Sequence, residues 1–322
     1  MNIIKDLTNI IGETDSVFIQ THDFPDHDAV ASAFGLQHLL AEFDVSSRIV
    51  YEGTLERNSL KRMIDELGIQ LECASHYGLK PEHKIIIVDG CKGNKNVTEL
   101  IGKEISVVDH HQILAPDDVA FADIRPNYGA CATLIHSYYN ELEMEIPRAV
   151  ATALLVGINI DTALLTRGVS EADLRAYVDL YELADVHLQN SILRNYIQAR
   201  DLHFFQVAID NLKRKDSIGF CYLPDGCNQN LLAILADFFL ALQELDFVVM
   251  CARNDDVVNL SVRSERQGCD ASSIVKDILK GIGFGGGHRD MAGGIVYDAS
   301  RFDAVAVFEL IAARVTGSVS TA

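Results

Sequence analysis

At 322 residues, 48% of them apolar, the chain is long enough to bury two cores and reads as two soluble domains. Its 46 acidic against 27 basic side chains leave a formal charge of -19, which excludes an electrostatic grip on long duplex nucleic acid. No apolar run reaches the roughly 20 residues of a membrane helix, Met1 to Glu13 lacks the apolar core of a signal peptide, and the seven cysteines form no Cys-x-x-Cys pair, so a reduced, cytoplasmic protein without membrane contact is expected.

In chain order, a first strand is expected over Ser16-Val17-Phe18-Ile19-Gln20, followed by an acidic loop, His22-Asp23-Phe24-Pro25-Asp26-His27-Asp28. Asp28 to Phe43 has helical apolar spacing, Arg48 to Tyr51 reads as a strand, and Glu56 to Leu67 as an exposed amphipathic helix. Lys84 to Val88 is a β-branched run ending in Asp89, and a helix is expected near Asn96 to Gly102. Ile105-Ser106-Val107-Val108 is a further strand that ends in Asp109-His110-His111. After a loop from Ala115 to Gly129 come a helix from Ala130 to Leu142 and a strongly apolar one from Pro147 to Ile160, which presents Asp161 against the helix dipole. Such alternation predicts an α/β domain with a doubly wound, mainly parallel sheet, whose ligands lie beyond the carboxyl ends of the strands.

Asp173 to about Asn211 has the periodicity of one or two helices leading out of this domain, and a boundary near Asn190 divides the chain into 1–190 and 191–322. Strands at Ile218 to Leu223, Phe247 to Ala252, Asn259 to Arg263 and Gly293 to Tyr297 alternate with helices at Gln229 to Gln243, Ser272 to Lys280 and Arg301 to Arg314. They predict a smaller α/β domain with a mixed sheet. Within it, Gly283 to Gly294 reads as a glycine-rich loop whose backbone N–H groups can turn inward on an anion.

Carboxylates and imidazoles thus end several apolar elements, at His22, Asp26 and Asp28, at Asp89, at Asp109-His110-His111, and at Asp161. Gathered at one sheet edge, such groups cost several kcal/mol of lost hydration and repulsion unless cations compensate, and two divalent metals meet that need. Mixed imidazole and carboxylate ligands suit Mn2+, and also Zn2+, Co2+ or Fe2+, better than Mg2+ or Ca2+, and of these Mn2+ is the ion expected. A lone strand-end Asp is more often a cap or turn residue than a ligand, so the weight lies in the combination.

That combination, in order and context, resembles the DHH phosphoesterase superfamily. Gly285-Gly286-Gly287-His288, with Arg263 in Ser261-Val262-Arg263-Ser264, resembles the DHH-associated domain that follows it. The resemblance implies that His22 and Asp26 hold one metal, that Asp28, His110 and Asp161 hold the other, and that Asp89 bridges them. Asp109 would orient the metal-bound imidazole and His111 would face the scissile phosphate. Arg263, Gly285, Gly286, Gly287 and His288 would hold the substrate's terminal phosphate or nucleoside, with the active site in the interdomain cleft and Arg266 and Arg289 left as solvated charges. Asn127 and Thr133 occupy positions beside the substrate, and Tyr128 is a candidate to stack on a base or to pack in its loop. Asp23 and His27 depart from the family's pattern and read as loop residues, His27 narrowing the entrance.

The implied activity is hydrolysis of short 5'-phosphorylated oligoribonucleotides to mononucleotides, with linear dinucleotides such as pGpG or pApA favoured. Four alternatives remain open: a 3'-phosphoadenosine 5'-phosphate phosphatase, a cyclic-dinucleotide phosphodiesterase, a manganese pyrophosphatase, and a nonhydrolytic nucleotide sensor. A homodimer is compatible with the sequence, although no exposed stripe marks an interface.

Overall fold

The structure, a computed structural model, describes residues 3–12, 17–55, 57–194 and 197–317. Ser16, Glu56 and residues 195–196, which fall in or beside expected elements, lie outside them. The chain divides into two compact units, residues 1–196 and 197–322.

The first unit runs α1 (Ile3–Ile11), β1 (Val17–Gln20), α2 (His27–Ala41), β2 (Ser47–Tyr51), α3 (Asn58–Leu67), β3 (Leu71–Cys73), β4 (Lys84–Val88), β5 (Lys103–Asp109), β6 (Phe121–Ile124), α4 (Cys131–Glu141), α5 (Arg148–Asp161), α6 (Glu171–Leu183) and α7 (Val186–Arg194). Its strands form one parallel sheet in the order β3-β2-β1-β4-β5-β6. The inner strands β1, β4 and β5 are buried on both faces, which is why their sequences are near-continuous apolar runs. Val17, Ile19, Ile86, Val88 and Val108 face a layer that includes α2, α4 and α5; Phe18, Ile85, Ile87 and Val107 face the other side. Strand order reverses between β1 and β4, and at such a switch point the connections leave in opposite directions and open a crevice beyond the strand ends.

The second face of this sheet is covered by irregular chain, where the sequence predicted a helix from Asn96 to Gly102. The reason is a long-range contact: the Asp23 carboxylate accepts from Thr98 N at 3.1 Å and from Thr98 Oγ1 at 2.8 Å, and Gln20 Nε2 donates to Thr98 O at 2.7 Å. With Thr98 N and O bonded to Asp23 and Gln20, and the Asn96 carbonyl accepting from Asp23 N at 2.6 Å, backbone groups that a helix would need at the start of this stretch are already taken. The region from Asp173 onward breaks at Ala184, whose backbone is extended, so that α6 and α7 are separate helices.

The second unit runs α8 (Leu202–Asn211), β7 (Lys213–Lys215), β8 (Ile218–Leu223), α9 (Gln229–Leu240), β9 (Phe247–Asn254), β10 (Val257–Ser264), α10 (Ala271–Ile278), β11 (Phe284–Gly287), β12 (Met291–Val296) and α11 (Ala304–Gly317). Its mixed sheet has the order β11-β12-β10-β9-β8-β7, in which β8 and β9 pair parallel and the other neighbours antiparallel. Helices α10 and α11 pack on the face that carries Val249, Cys251, Leu260 and Val262, and α9 packs on the opposite face, on Val248, Met250 and Ala252. The glycine-rich stretch is an edge hairpin rather than a loop, since Gly285 and Gly286 pair with Gly294 and Gly293. All described cysteines are free, and among the described residues no helix is long and apolar enough to cross a membrane.

Candidate metal centre

The groups that the sequence scattered along the chain meet beyond the carboxyl ends of β1, β4 and β5. His22 lies just past β1. Its Nδ1 sits 2.8 Å from the Asp23 carbonyl, which leaves Nε2 3.9 Å from Asp26 Oδ1 and 3.8 Å from Asp89 Oδ2. Asp26 caps α2: its Oδ1 accepts from the amides of Asp28 and Ala29 at 3.0 and 3.1 Å. It therefore fills both the bland role of an N-cap and a place in the cluster. Asp28, in the first turn of α2, is fully buried, and its carboxylate accepts from Cys131 N and Ala132 N at 2.6 and 2.9 Å, the amino end of α4. Those amides and the dipole behind them favour its charge.

Asp89 follows β4 directly, with its backbone in the left-handed region at φ 56 and only 2% of its surface exposed. A non-glycine residue held there costs on the order of 1–3 kcal/mol, a strain that persists where surrounding structure enforces it. Its two oxygens face two ways, Oδ2 toward His22 and Oδ1 toward His110 Nε2, at 3.4 Å. His110 Nδ1 stands 3.2 Å from the Tyr128 carbonyl, and its Nε2 is 3.4 Å from Asp161 Oδ2 and 3.9 Å from Asp28 Oδ2. Asp161 is the last residue of α5.

Electrically the cluster is unbalanced. Burial, then the neighbouring carboxylates Asp161 and Asp89, raise the Asp28 pKa well above the usual carboxylate range. Burial, then Asp26 and Asp89 among its neighbours, push Asp161 up to about 6. Burial opposes charge on His22 and His110 as well, but the surrounding carboxylates outweigh it and raise both. Asp26 goes the other way: despite burial, His22 and Arg57 hold it down at about 2. Acids raised and imidazoles raised together describe a site short of positive charge.

Three sets of ligand atoms each lie within 4.8 Å of one another: His22, Asp26 and Asp89; Asp28, His110 and Asp161; and Asp89, His110 and His111. Among the described residues Asp89 Oδ1 and His110 Nε2 are buried with no hydrogen-bond partner. Leaving such groups unpaired costs about 1–3 kcal/mol each, more when charged. Two orphaned atoms aimed at a common space, in a donor set of nitrogen and carboxylate oxygen, fit divalent cations.

Residues 16–158 match the model of the DHH family, N-terminal domain, and residues 215–313 match that of the DHHA1 domain. The chain belongs to the DHH family. It is 31% identical over 278 residues to an uncharacterized protein of Methanocaldococcus jannaschii, covering 86% of this chain and 57% of that protein. It is 27% identical over 305 residues to the cyclic-di-AMP phosphodiesterase GdpP of Bacillus subtilis, covering 88% of this chain and 45% of GdpP. A probable manganese-dependent inorganic pyrophosphatase of Streptococcus thermophilus is 26% identical over 181 residues, 54% of this chain and 57% of that one. The chain thus spans about half the length of these curated relatives. The crystal structure of an exopolyphosphatase-related protein from Bacteroides fragilis matches with a TM-score of 0.81 and 18% identity, covering 98% of this chain and 97% of the other, a likeness of fold.

Within the DHH domain several roles differ from expectation. Asp109 does not orient His110. Its Oδ1 accepts from His111 N at 3.0 Å and lies 2.8 Å from His111 Nδ1, because the turn after β5 folds the next residue but one back over it. The Tyr128 carbonyl stands beside the His110 ring instead. His27 does not line an entrance: it is 1% exposed, and burial, with Arg57 nearby, pushes its pKa down to about 3. Asn127 is exposed in a turn, and the Tyr128 hydroxyl accepts from Arg125 Nη1 at 3.2 Å. Thr133 is buried and its hydroxyl donates to Asp173 Oδ1 at 2.5 Å.

Asp173 itself was invisible to sequence reasoning. Fully buried, it accepts from Gly129 N at 2.8 Å, Ser170 N at 2.7 Å and Ser170 Oγ at 2.6 Å. It thereby fixes the segment that delivers the Tyr128 carbonyl and the α4 amides. The one available signal, Ser170 three residues before Asp173, reads only as a helix cap. Gly157 was missed as well: a Cβ there would meet Asp28 Oδ1 at 2.8 Å, so glycine lets α5 lie against the acid.

In the DHHA1 domain Arg263 is 7% exposed. Its Nε and Nη2 reach Asp237 at 2.6 and 3.4 Å, and its Nη1 reaches Ser261 Oγ and the Val262 carbonyl, both at 3.1 Å. A phosphate at Arg263 would compete with Asp237. Gly285 to Gly287 lie on β11, and His288 follows, exposed, its amide donating to Met291 O at 2.7 Å. Arg266, expected to be solvated, pairs with Asp246 and Ser217.

Proposed function

We propose that the chain is a two-metal phosphodiesterase that hydrolyses short 5'-phosphorylated oligoribonucleotides, linear dinucleotides such as pGpG or pApA foremost, to mononucleotides. The observation that carries this reading is Asp89, a strained and buried carboxylate whose two oxygens face two separate ligand sets, one of them unpaired. His22, Asp26 and Asp89 would hold one ion and Asp28, His110 and Asp161 the other, with Asp89 shared. Divalent ions bound there would bring the pKa of a water toward neutrality and compensate charge building on phosphoryl oxygens. The manganese named for the pyrophosphatase relative supports Mn2+ as that ion.

The chain's own groups then have defined tasks. The Tyr128 carbonyl selects the His110 tautomer that carries its proton on Nδ1, so Nε2 is a free donor of electrons. The α4 amides donate to the Asp28 carboxylate and offset part of the burial and carboxylate repulsion that raise its pKa, leaving a cation to favour the ionised form. Asp109 holds His111 through Nδ1 and, with Asp89, raises the His111 pKa against the effect of burial, which keeps a proton available on its partly exposed ring for a departing oxygen. In the second unit, His288 and the backbone of Gly285 to Gly287 would hold the end of the substrate remote from the bond that breaks.

Similarity favours a diester over pyrophosphate. The pyrophosphatase match covers 54% of the chain, whereas the match to a cyclic-di-AMP phosphodiesterase covers 88% and takes in the second unit. A cyclic dinucleotide is accordingly the second reading. The test is a panel of pGpG, pApA, longer RNA, cyclic dinucleotides, 3'-phosphoadenosine 5'-phosphate and pyrophosphate, each assayed with Mn2+. Fastest metal-dependent release of GMP or AMP from the linear dinucleotides is expected. Preference for pyrophosphate, or binding without turnover of any member, would overturn the proposal.

A further inference from the structure

Among the described residues nine that are not glycine hold the left-handed region of the backbone. Four of them, Asp44, Glu143, Asp216 and Asp255, are polar and sit in the short turns that follow α2 and α4 or that join β7 to β8 and β9 to β10, where single residues visit this region routinely. The other five lie beside the metal centre: Asp89 itself, Phe24 between His22 and Asp26, and Ala163, Leu164 and Leu165 directly after Asp161 and Thr162. Every apolar side chain held this way thus falls in one of two segments, and each segment serves a different ligand set. Strain of this kind costs stability and gathers where function demands a fixed geometry.

Both segments are tied down. Asp23 N donates to Asn96 O at 2.6 Å and Phe24 N to Glu52 O at 3.0 Å, so the loop after β1 is bonded to chain on either side of it. Beyond α5, Leu164 N donates to Asn159 O at 2.7 Å, Leu165 N to Thr162 Oγ1 at 3.1 Å and Thr166 N to Thr162 O at 3.0 Å. The result is three consecutive left-handed residues, a run that L-amino acids avoid. Leu165 packs on the core of the first unit, which accounts for it. Phe24 and Leu164 have no such account, being 56% and 61% exposed. A Cβ on Gly53 would come within 2.9 Å of Phe24 Cδ1 and Cε1, so glycine there admits the ring and fixes where it stands. Glycine or asparagine would hold positions 24 and 164 at lower cost. What phenylalanine and leucine add is apolar surface, rigidly presented, one side chain beside each ligand set.

We propose that Phe24 and Leu164 set the specificity of the centre, Phe24 by stacking on the base at one side of the scissile phosphate and Leu164 by packing on the base at the other. The inference rests on the reading of the site as a phosphodiesterase and narrows its substrate to a diester that carries an organic group on each side. Pyrophosphate has no such group and a monoester only one, so neither engages both residues. Stacking on an aromatic ring tolerates any base, so adenine and guanine are both accepted.

The test measures kcat and KM of the intact protein with Mn2+ on a linear dinucleotide and on two analogues, each with an abasic ribose in place of one nucleoside. Phe24→Asn and Leu164→Gly suit the left-handed backbone, so both should fold, and Phe24→Tyr keeps the ring and should keep the wild-type KM. Phe24→Asn should raise KM for the dinucleotide about tenfold or more, as expected for one stacked base, with kcat changed far less. Leu164→Gly should raise it about threefold or more through lost apolar contact. On the analogues each loss should vanish where the base that meets the altered residue is missing, and the two variants should respond to opposite analogues. Calorimetry should return the wild-type Mn2+ affinity for both, which a role confined to holding His22, Asp26 or Asp161 in place would not allow. A dinucleotide KM unchanged in either variant, losses equal on all three substrates, or losses that follow a fall in Mn2+ affinity would overturn the proposal. A wild type that hydrolyses no dinucleotide would sink the proposed function and this inference with it, whereas hydrolysis that both variants match would sink this inference alone.

Discussion

Asp89→Asn removes the charge on which both halves of the centre depend while changing almost nothing else. Asparagine is isosteric and tolerates the left-handed backbone at φ 56, so strain is not altered. Opposite unit charges about 4 Å apart attract by about 4 kcal/mol at an effective dielectric constant of 20. After the desolvation of a 2% exposed carboxylate is subtracted, about 2.7 kcal/mol, or roughly a hundredfold in affinity, is a conservative loss for each ion. With free Mn2+ at a hundred times Kd each ion should add about 2.7 kcal/mol of stability to the wild type; in the variant, sitting at its Kd, each should add about 0.4 kcal/mol. For a unit the size of residues 1–196 that is a rise in Tm of roughly 5–10 °C per ion against roughly 1–2 °C per ion. Without metal the variant loses attraction to His22 and His110 and is relieved of repulsion on Asp28 and Asp161, so its Tm should stay close to that of the wild type. Thermal melts in chelator and in Mn2+, beside dinucleotide hydrolysis, decide the matter. A variant that keeps the full Mn2+-dependent rise in Tm, or its hydrolysis, refutes the sharing of Asp89 between two ions.

Three further outcomes follow from the same geometry. The metal-free protein should lose stability as pH rises from about 4 to 8. His22 and His110 carry raised pKa values, so their contribution is complete below about 6.5 and fades as pH climbs through the folded values, and Asp161, raised to about 6, becomes costly once ionised. Mn2+ competes with those protons, so its effect on Tm should grow over the same interval; a flat profile in chelator would contradict the charge deficit. Asp173→Ala should weaken Mn2+ binding although Asp173 touches no ligand atom, because it frees Gly129 and Thr133, at about 1–3 kcal/mol for each donor left unpaired, and loosens the segment behind His110 and Asp28. Calorimetry showing unchanged Mn2+ affinity would reduce Asp173 to a helix cap. His288→Ala should raise KM for a dinucleotide about tenfold or more with a far smaller effect on kcat, and equal losses on bis(p-nitrophenyl) phosphate would argue against substrate holding by the second unit.

The parts of this molecule that were legible in the sequence are those whose causes are local. Val17 to Gln20, Lys84 to Val88 and Ile105 to Val108 announce buried parallel strands because both faces of each are covered, and the acids that follow them fall together because parallel strands end on one side. Causes that join distant positions were not legible. Asn96 to Gly102 has nothing in its own composition to forbid a helix; Asp23, far back along the chain, does so by capturing Thr98. The partner of Asp109 was assigned to the wrong imidazole for the opposite reason: the sequence shows adjacency, and only the turn after β5 decides which ring folds back. Glycine is the hardest residue to read, since a run of it can mean a nest, a strand or a packing contact. In the hairpin from Phe284 to Val296 it means two things at alternate positions, and the distinction rests on which side α10 occupies, a fact of tertiary packing that leaves no trace in the local sequence. Residues that ligate, turn or cap announce themselves by type and spacing. Those that act by being small or by holding another residue in place, such as Gly157 and Asp173, are found only once their neighbours are known.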